Sequence, residues 1–556
     1  MSIQLSLPRR DTKALPLPDE HSIAWPLAAL ALILCLHVAV TFTRSINWDE
    51  FIVYAQIHQL ARGELTLPLQ TFQTRLFQWI LNLDVSNIDQ IIAARVVILG
   101  CVAVTASAIY FLAERFARRE IALVCALAWL STGFVIQHGT SLRTDPMAAA
   151  LLMTSLAIMA RTRLGLGMSL IVAGLAAVSV LITLKSVLYA PAFAGIAWLC
   201  WHTGGRSRAT TLKLVRLALL VPALFAILYF VHGSYLPQED SATAIATQTA
   251  GLMFRPFEFT HWRHSLKFVT IAPFLAILLV LIPHYIRRQT ERPVAEKFAL
   301  IGLALVLSSL LFYTNTYAYF FVFILPPACV ACAPSVEAIV QRYSLGLLTM
   351  ALTINAVSVF ALEDTEVLAT QRSIVEAADE IFPDPIDYFD GTHQIAQFRK
   401  ANVLLDAWNI RTYFYGGHAT SMEGKLDTTV VPMILTNTLV LQDALEGTDR
   451  VTLLQRVDIA MLRDTYVRFW GPYWIAGERL KASETRTVKI RVPGPYTVNN
   501  GSITINGSVF DPGEVVLLDR GTYVLGGHSS PVLLLWGDHL KRPDRPAPRE
   551  PYWELF

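Results

Sequence analysis

From residue 23 to residue 362 long apolar runs alternate with short charged loops; beyond that the pattern becomes mixed and finally alternating. A helix that crosses a bilayer needs about 20 mostly apolar residues. About eleven such runs are legible, near 23–42, 91–113, 121–137, 146–160, 166–184, 186–201, 214–232, 267–285, 298–313, 318–333 and 345–362. The first lacks a small-residue cleavage site and reads as a retained anchor. After residue 484 come RTVKIRVPGPYTV, GSITINGSVF, GEVVLLD, GTYVLGG and SPVLLLWGD, short β-rich runs punctuated by Gly, Pro and Asn. The pattern predicts a polytopic α-helical membrane domain over 23–362, preceded by a segment 1–22. A soluble mixed α/β segment over 363–484 follows, then a small β-sandwich-like unit over 485–540 and a basic, Pro-rich tail over 541–556.

Charge orients these spans. With the N-terminus inside, the inner loops receive Arg9, Arg10, Lys13, Arg115, Arg118, Arg119, Arg161, Arg163, Arg206, Arg208, Lys213, Arg287, Arg288, Arg292, Lys297 and Arg342. The outer short loops hold little more than Arg143 and Lys185, so the positive-inside rule puts the C-terminal domain outside. Composition agrees: 54% of residues are apolar and only 16% charged, where soluble domains carry about 25% charged residues. The mean hydropathy is +0.46 and the net charge +2, which makes a nucleic-acid binder, a disordered scaffold and a soluble multidomain enzyme poor fits. All six cysteines fall in apolar stretches, and Cys329-x-x-Cys332 reads as packing rather than redox or zinc chemistry.

Two outer loops exceed what a turn requires. In 43–90, Phe51, Tyr54, Ile57 and Leu60 recur at helical spacing and suggest a helix lying in the membrane interface. The other, 233–266, is polar at first and then aromatic and basic, ending in His261-Trp-Arg-His264. No carboxylate follows that His pair, so no metal is expected, and His261 and Arg263 are read as interface or substrate contacts. Asn500-Gly501-Ser502 and Asn506-Gly507-Ser508 match the glycosylation sequon but read better as hairpin turns. Trp470, Tyr473 and Trp474 are read as core first, with sugar stacking as the functional alternative.

The outer face gathers charges that are costly to desolvate and therefore need a reason: Asp49 and Glu50, Arg75, Arg95, Arg143, Asp145 and Lys185. Each has a structural alternative. Asp49 could cap a helix, Asp145 followed by Pro146 could start one, Arg95 could snorkel to headgroups, and Lys185 could mark a span end. As a set they suit transfer of a group from a phosphate leaving group, a carboxylate taking the proton of the attacking hydroxyl and cations stabilising the departing phosphate.

NWDEFIVYAQ resembles the Asp-Glu motif, with a tyrosine four residues later, in the first outer loop of the GT-C glycosyltransferases. The resemblance is to the branch of protein O-mannosyltransferases and lipid A aminoarabinose transferase. SLRTDPMAAALLMTSLA is similar to their Arg-x-Asp segment, TLKSVLYAPAF to their lysine segment and NTYAYFFVFILPPA to their late aromatic-to-proline span. Order and topology carry the likeness over roughly residues 23–335. It implies a GT-C-like fold and a sugar donor on a polyprenyl or dolichyl phosphate, used at the outer face by single displacement with inversion. It further implies Asp49 as base and Glu50 as an orienting carboxylate. Arg75, Arg95, Arg143, Asp145, Lys185, Tyr54, His261 and Arg263 are expected to bind substrate, with no cofactor and no metal required. Two departures stand out: the first loop has QTFQTRLFQW with Arg75 where relatives often carry a Lys-Pro-Pro-like segment, and Ser186, not Gly, follows Lys185.

Membrane lipids and an acceptor of unspecified kind (lipid, polysaccharide or protein) complete the expected partners, and nucleic acid is not among them. A bacterial inner membrane with the C-terminal domain in the periplasm suits the topology. The rival classes are a lipid-linked sugar transporter or flippase, which would place polar groups at the bilayer midplane, and a non-catalytic membrane assembly protein.

Overall fold

The computed structural model describes residues 21–237, 253–258, 261–403, 405, 407–415, 418, 421–447 and 453–553. Glu239 and Asp240 of the second long loop and the basic residues Arg9, Arg10 and Lys13 lie outside them. The helical half begins with α1 (His21–Thr43), α2 (Trp48–Ala61), α3 (Phe72–Phe77), α4 (Asn87–Ala113), α5 (Arg119–Leu130), α6 (Gly133–His138), α7 (Thr144–Arg161), α8 (Leu166–Ile182), α9 (Ala190–Thr203) and α10 (Arg208–Gly233).

Among the described residues, five helices are long and apolar enough to cross a membrane, or up to eight if each of three bent pairs counts as one span. That is fewer than the eleven apolar runs. The run at 121–137 is divided between α5 and α6, the one at 146–160 shares its helix with Asp145 and Arg161, and α8 has only 17 residues. The 267–285 run is broken by a 106° bend between Trp262–Ile271 and Pro273–Val280. Helix α10 is the opposite case, free of charge from Leu217 to Val231 and almost unburied, with Leu219, Ile227 and Phe230 exposed, as expected of a helix solvated by lipid. Close helix packing uses small residues. Gly195 of α9 meets the backbone of Ala299 and Gly302, and a Cβ on Gly302 would lie 2.5 Å from the Pro191 carbonyl oxygen. The Phe320–Ala331 helix, buried along its whole length, forms the centre of this half; Cys329 and Cys332 are packed there or at its end.

In the C-terminal half the helix Glu366–Ile381 leads into one sheet of order β10 (Val515–Leu518), β7 (Gly494–Asn499), β12 (Val532–Trp536), β5 (Tyr473–Leu480), β3 (Met433–Leu435), β1 (Asp387–Asp390), β2 (Arg399–Lys400), with β4 (Tyr466–Trp470) also on β5. Strands β1, β2 and β3 are parallel to one another, and β5 is antiparallel to β3. The pairing of β5 with β12 carries the sheet across the expected boundary at 484/485. The sheet of β6 (Thr485–Ile490), β11 (Gly521–Gly527), β8 (Ile503–Ile505) and β9 (Ser508–Phe510) packs against it through Leu480, Val488, Val498, Ile503, Leu525 and Leu534. The expected sandwich is present but shares a sheet with the mixed segment. Asn506 and Gly507 turn between β8 and β9, both with positive φ (49° and 90°), the combination a two-residue hairpin needs.

Three expectations are revised by packing. Phe51, Tyr54 and Ile57 of α2 are buried in one cluster with Ile88, Ile91 and Ala94 of α4, so the apolar face of α2 packs on protein. Trp470 and Tyr473 are buried in the core of the soluble domain and Trp474 is half-buried, so their apolar rings pack there instead of forming a sugar platform. The segment after 540 is bound rather than loose. Arg545 donates to the Ser373 hydroxyl and carbonyl (3.1 Å each) and pairs with Glu380, while Tyr552 is buried.

Candidate active site

The site begins at a helix cap. Asn47 accepts from the Asp49 amide (3.0 Å), and the Glu50 carboxylate returns to the Asn47 amide (3.0 Å), a reciprocal capping box that starts α2 at Trp48. Successive helical residues point about 100° apart, so the two acidic neighbours part company at once.

Glu50 is fully buried. Arg95 of α4 grips it through two nitrogens, at 2.8 and 2.6 Å, and the Leu142 amide donates to it at 2.6 Å. The remaining reach of Arg95 goes to the carbonyls of Arg44 and Ser45 (2.8 Å each). Burial would push the Glu50 carboxyl up; Arg95 and the two amides outweigh it and hold the group below its usual value. Both residues were expected to bind or orient substrate. In the structure they form an internal tie between the end of α1, the start of α2, α4 and the chain entering α7, with every oxygen and the whole guanidinium engaged.

Asp49 faces another way, into a ladder of alternating charge. Its Oδ2 pairs with Arg143, at the N-cap of α7. Arg143 lies 3.7 Å from Asp145, and Asp145 accepts from Lys185 at 2.5 Å. The Tyr319 ring covers the ladder, with the Arg143 guanidinium 3.2 Å and the Lys185 ammonium 5.5 Å from its centroid. Exposure grades along it: the side chains of Asp145, Lys185 and Arg143 are 1%, 7% and 8% exposed, and that of Asp49 is 27%. Four segments of chain, 49, 143–145, 185 and 319, thus meet in one place, with the carboxylate at the open end. Among the described residues Asp49 Oδ1 accepts no hydrogen bond, which leaves it available to an incoming hydroxyl.

The other expected site residues sit outside this ladder. Tyr54 is buried, its hydroxyl on Asn87 (2.9 Å) and Gln90 (2.6 Å) of α4. Arg75 donates to His232 Nδ1 (2.6 Å) and lies near the Tyr235 ring. His261 packs on Tyr317 with ring centroids 3.9 Å apart, and Arg263 is exposed on the helix Trp262–Ile271. Burial pushes the His261 imidazole below its usual pKa. Tyr317 in turn stacks with Tyr319 (5.6 Å), which links His261 to the ladder through two rings. No group of three or more His, Cys, Asp or Glu among the described residues could hold a metal ion.

The sequence reading left Tyr319 unassigned although NTYAYFF contains it. It also missed what the soluble domain contributes. Gln371 pins Ile46 through both its amide and its carbonyl (2.7 and 2.8 Å), Arg372 grips Asp89 through two nitrogens at 2.7 Å, and Trp553 stacks on Trp48 at 5.9 Å. Only the aromatic richness of the tail hinted at the last.

No protein-family model matches this chain, and neither does any curated protein sequence. Solved structures do. The apo oligosaccharyltransferase of Archaeoglobus fulgidus aligns with 93% of this chain and 96% of its own, at 11% identity and a TM-score of 0.54. The same enzyme tethered to an acceptor peptide containing the NVT sequon aligns with 92% and 96%, at 10% identity and a TM-score of 0.50. ArnT from Cupriavidus metallidurans bound to undecaprenyl phosphate aligns with 67% and 84%, at 11% identity and a TM-score of 0.49. At such identity the likeness concerns architecture alone: over nearly its whole length the chain has the fold of the archaeal oligosaccharyltransferase.

Proposed function

We propose that the protein is a membrane glycosyltransferase that moves a sugar from a polyprenyl-phosphate-linked donor to an acceptor at the outer, periplasmic face of a bacterial inner membrane. The observation that carries this reading is the graded ladder Lys185–Asp145–Arg143–Asp49, buried at its cationic end and open at a carboxylate, within a GT-C fold. The same face follows from the charge bias of the loops.

In this reading Asp49 is the base. Arg143 holds Oδ2 and so aims Oδ1 at the acceptor. The acceptor oxygen attacks the anomeric carbon from the side opposite the phosphate, its proton passes to Asp49, and the carbon–oxygen bond to the phosphate breaks with inversion. Arg143 and Lys185 shift part of their interaction from the carboxylates to the departing phosphate, an electrostatic stabilisation that strengthens as charge develops. Asp145 keeps both cations in place beforehand. His261, against the Tyr317 ring, and the exposed Arg263 belong to the substrate rim, while Tyr54, Glu50 and Arg95 support the geometry from behind. The archaeal neighbour's name, oligosaccharyltransferase, and its acceptor peptide accord with glycosyl transfer and leave this chain's own acceptor and sugar open.

The test is release of polyprenyl phosphate from a polyprenyl-phosphate sugar by purified protein in proteoliposomes. Wild type is expected to turn over and Asp49→Asn to lose at least about 100-fold in rate with an unchanged melting temperature. An Asp49→Asn enzyme as active as wild type removes the proposed base.

A further inference from the structure

Asp49 stands second in α2, and the residues that lead into it receive several contacts from the C-terminal half. Glu363 pairs with Arg44. Gln371 closes two hydrogen bonds on Ile46. Trp553 lies against Trp48, the residue before Asp49, with the indoles inclined by only 13°. The segment that delivers Trp553 is anchored along its way: the Arg545 carbonyl accepts from Trp470 Nε1 (3.2 Å), its guanidinium holds Ser373 and Glu380 on the helix Glu366–Ile381, and Tyr552 is buried. The chain after β12 thus runs back over that helix and ends, among the described residues, on the first turn of the helix that carries the proposed base.

Such a contact has mechanical consequences. The first turn of a helix is where fraying starts, and rate in a displacement reaction is sensitive to misplacement of a catalytic group by about 1 Å. The membrane half ties Glu50 from beneath through Arg95, which fixes the inner face of that turn. From the other side the Trp48 ring lies against Trp553.

We infer that Trp553 is a positioning residue for Asp49, and that the segment 541–553 is a strap through which the soluble domain holds the catalytic turn in its reactive geometry. This inference rests on the glycosyltransferase reading for its kinetic consequence, but its structural part stands apart from it.

The experiment uses full-length protein in proteoliposomes with three variants: Trp553→Ala, Trp553→Leu, which keeps apolar bulk without the ring, and Trp553→Phe, which keeps a ring. Hydrogen exchange is read on the peptide covering residues 44–54 and on one within α4, alongside kcat and KM for the donor. Trp553→Ala and Trp553→Leu are expected to speed exchange in 44–54 about 10-fold while α4 stays protected. They should lower kcat about 10-fold with KM changed less than twofold, and Trp553→Phe should recover most of both losses. Unchanged exchange in 44–54 for Trp553→Leu overturns the strap whatever the activity. A change in exchange without any transferase activity in wild type overturns the functional reading and leaves the strap as a structural tie. Loss of kcat in Trp553→Leu that Trp553→Phe fails to recover also overturns the assignment to Trp553.

Discussion

Asp49 and Glu50 are adjacent carboxylates, each paired to an arginine, yet they live in different surroundings. Glu50 and Arg95 are 0% and 2% exposed and surrounded by backbone amides and carbonyls that use up their remaining hydrogen-bonding capacity. Asp49 and Arg143 end a ladder that is open on one side. The difference teaches that adjacency on a chain confers no shared role once a helix turns neighbours about 100° apart. One pair is closed inside the fold and the other reaches the surface, where the proposed reaction would place a substrate. A closed pair has nothing left to give a ligand; an open one can exchange its partner for one.

The comparison can be broken most sharply at Asp49. Replacing it with Asn is expected to cut transfer about 100- to 10,000-fold while thermal unfolding stays where it was, measured by phosphate-lipid release and by a melting curve. Glu50→Gln should reverse the pattern. It leaves Arg95 as an uncompensated buried charge, which costs about 3–5 kcal/mol, so the melting temperature and the yield of folded protein fall. Activity per folded molecule should stay closer to wild type than in Asp49→Asn. Should Glu50→Gln fold normally and lose turnover, the division of labour between the two carboxylates is wrong.

Lys185→Met comes next. It deprives Asp145 of its 2.5 Å partner and removes a cation from the leaving-group end, for an expected loss of about 10- to 100-fold in kcat, read in the same release assay. Tyr54→Phe should do least. Its hydroxyl serves only Asn87 and Gln90 in the described contacts, so a cost of about 1 kcal/mol in stability and less than a threefold change in rate are expected. A large kinetic effect of Tyr54→Phe would return that residue to the substrate site.

Much of the site was legible because its chemistry is costly. Charges at the edge of apolar runs demand explanation, and Asp49, Arg143, Asp145 and Lys185 stand out in the sequence on that ground; the structure brings all four into one ladder. The same rule also selected Glu50, Arg95 and Arg75, since desolvation cost cannot distinguish a charge held for substrate from one held for the fold. Arg75 found His232, some 157 residues away, a pairing that no local pattern announces. Tyr319 was invisible because an aromatic residue beside an apolar span is ordinary core until a guanidinium is seen against its face.

What the sequence determined by itself was what depends on short-range periodicity and on solvent: the apolar helices, the change to a sheet domain after the last of them and the hairpin turn at Asn506-Gly507; Asn500-Gly501, also read as a hairpin, joins strands of different sheets, and α2 is capped by Asn47 where Asp49 was the expected cap. Tertiary structure decided which charge met which, that β12 would join β5 and erase a boundary, and that a Pro-rich tail would come back to Trp48. Those outcomes depend on contacts between residues from 40 positions apart (Asp145 and Lys185) to the far ends of the chain (Trp48 and Trp553), whose geometry is set by packing of the whole chain rather than by the residues on either side.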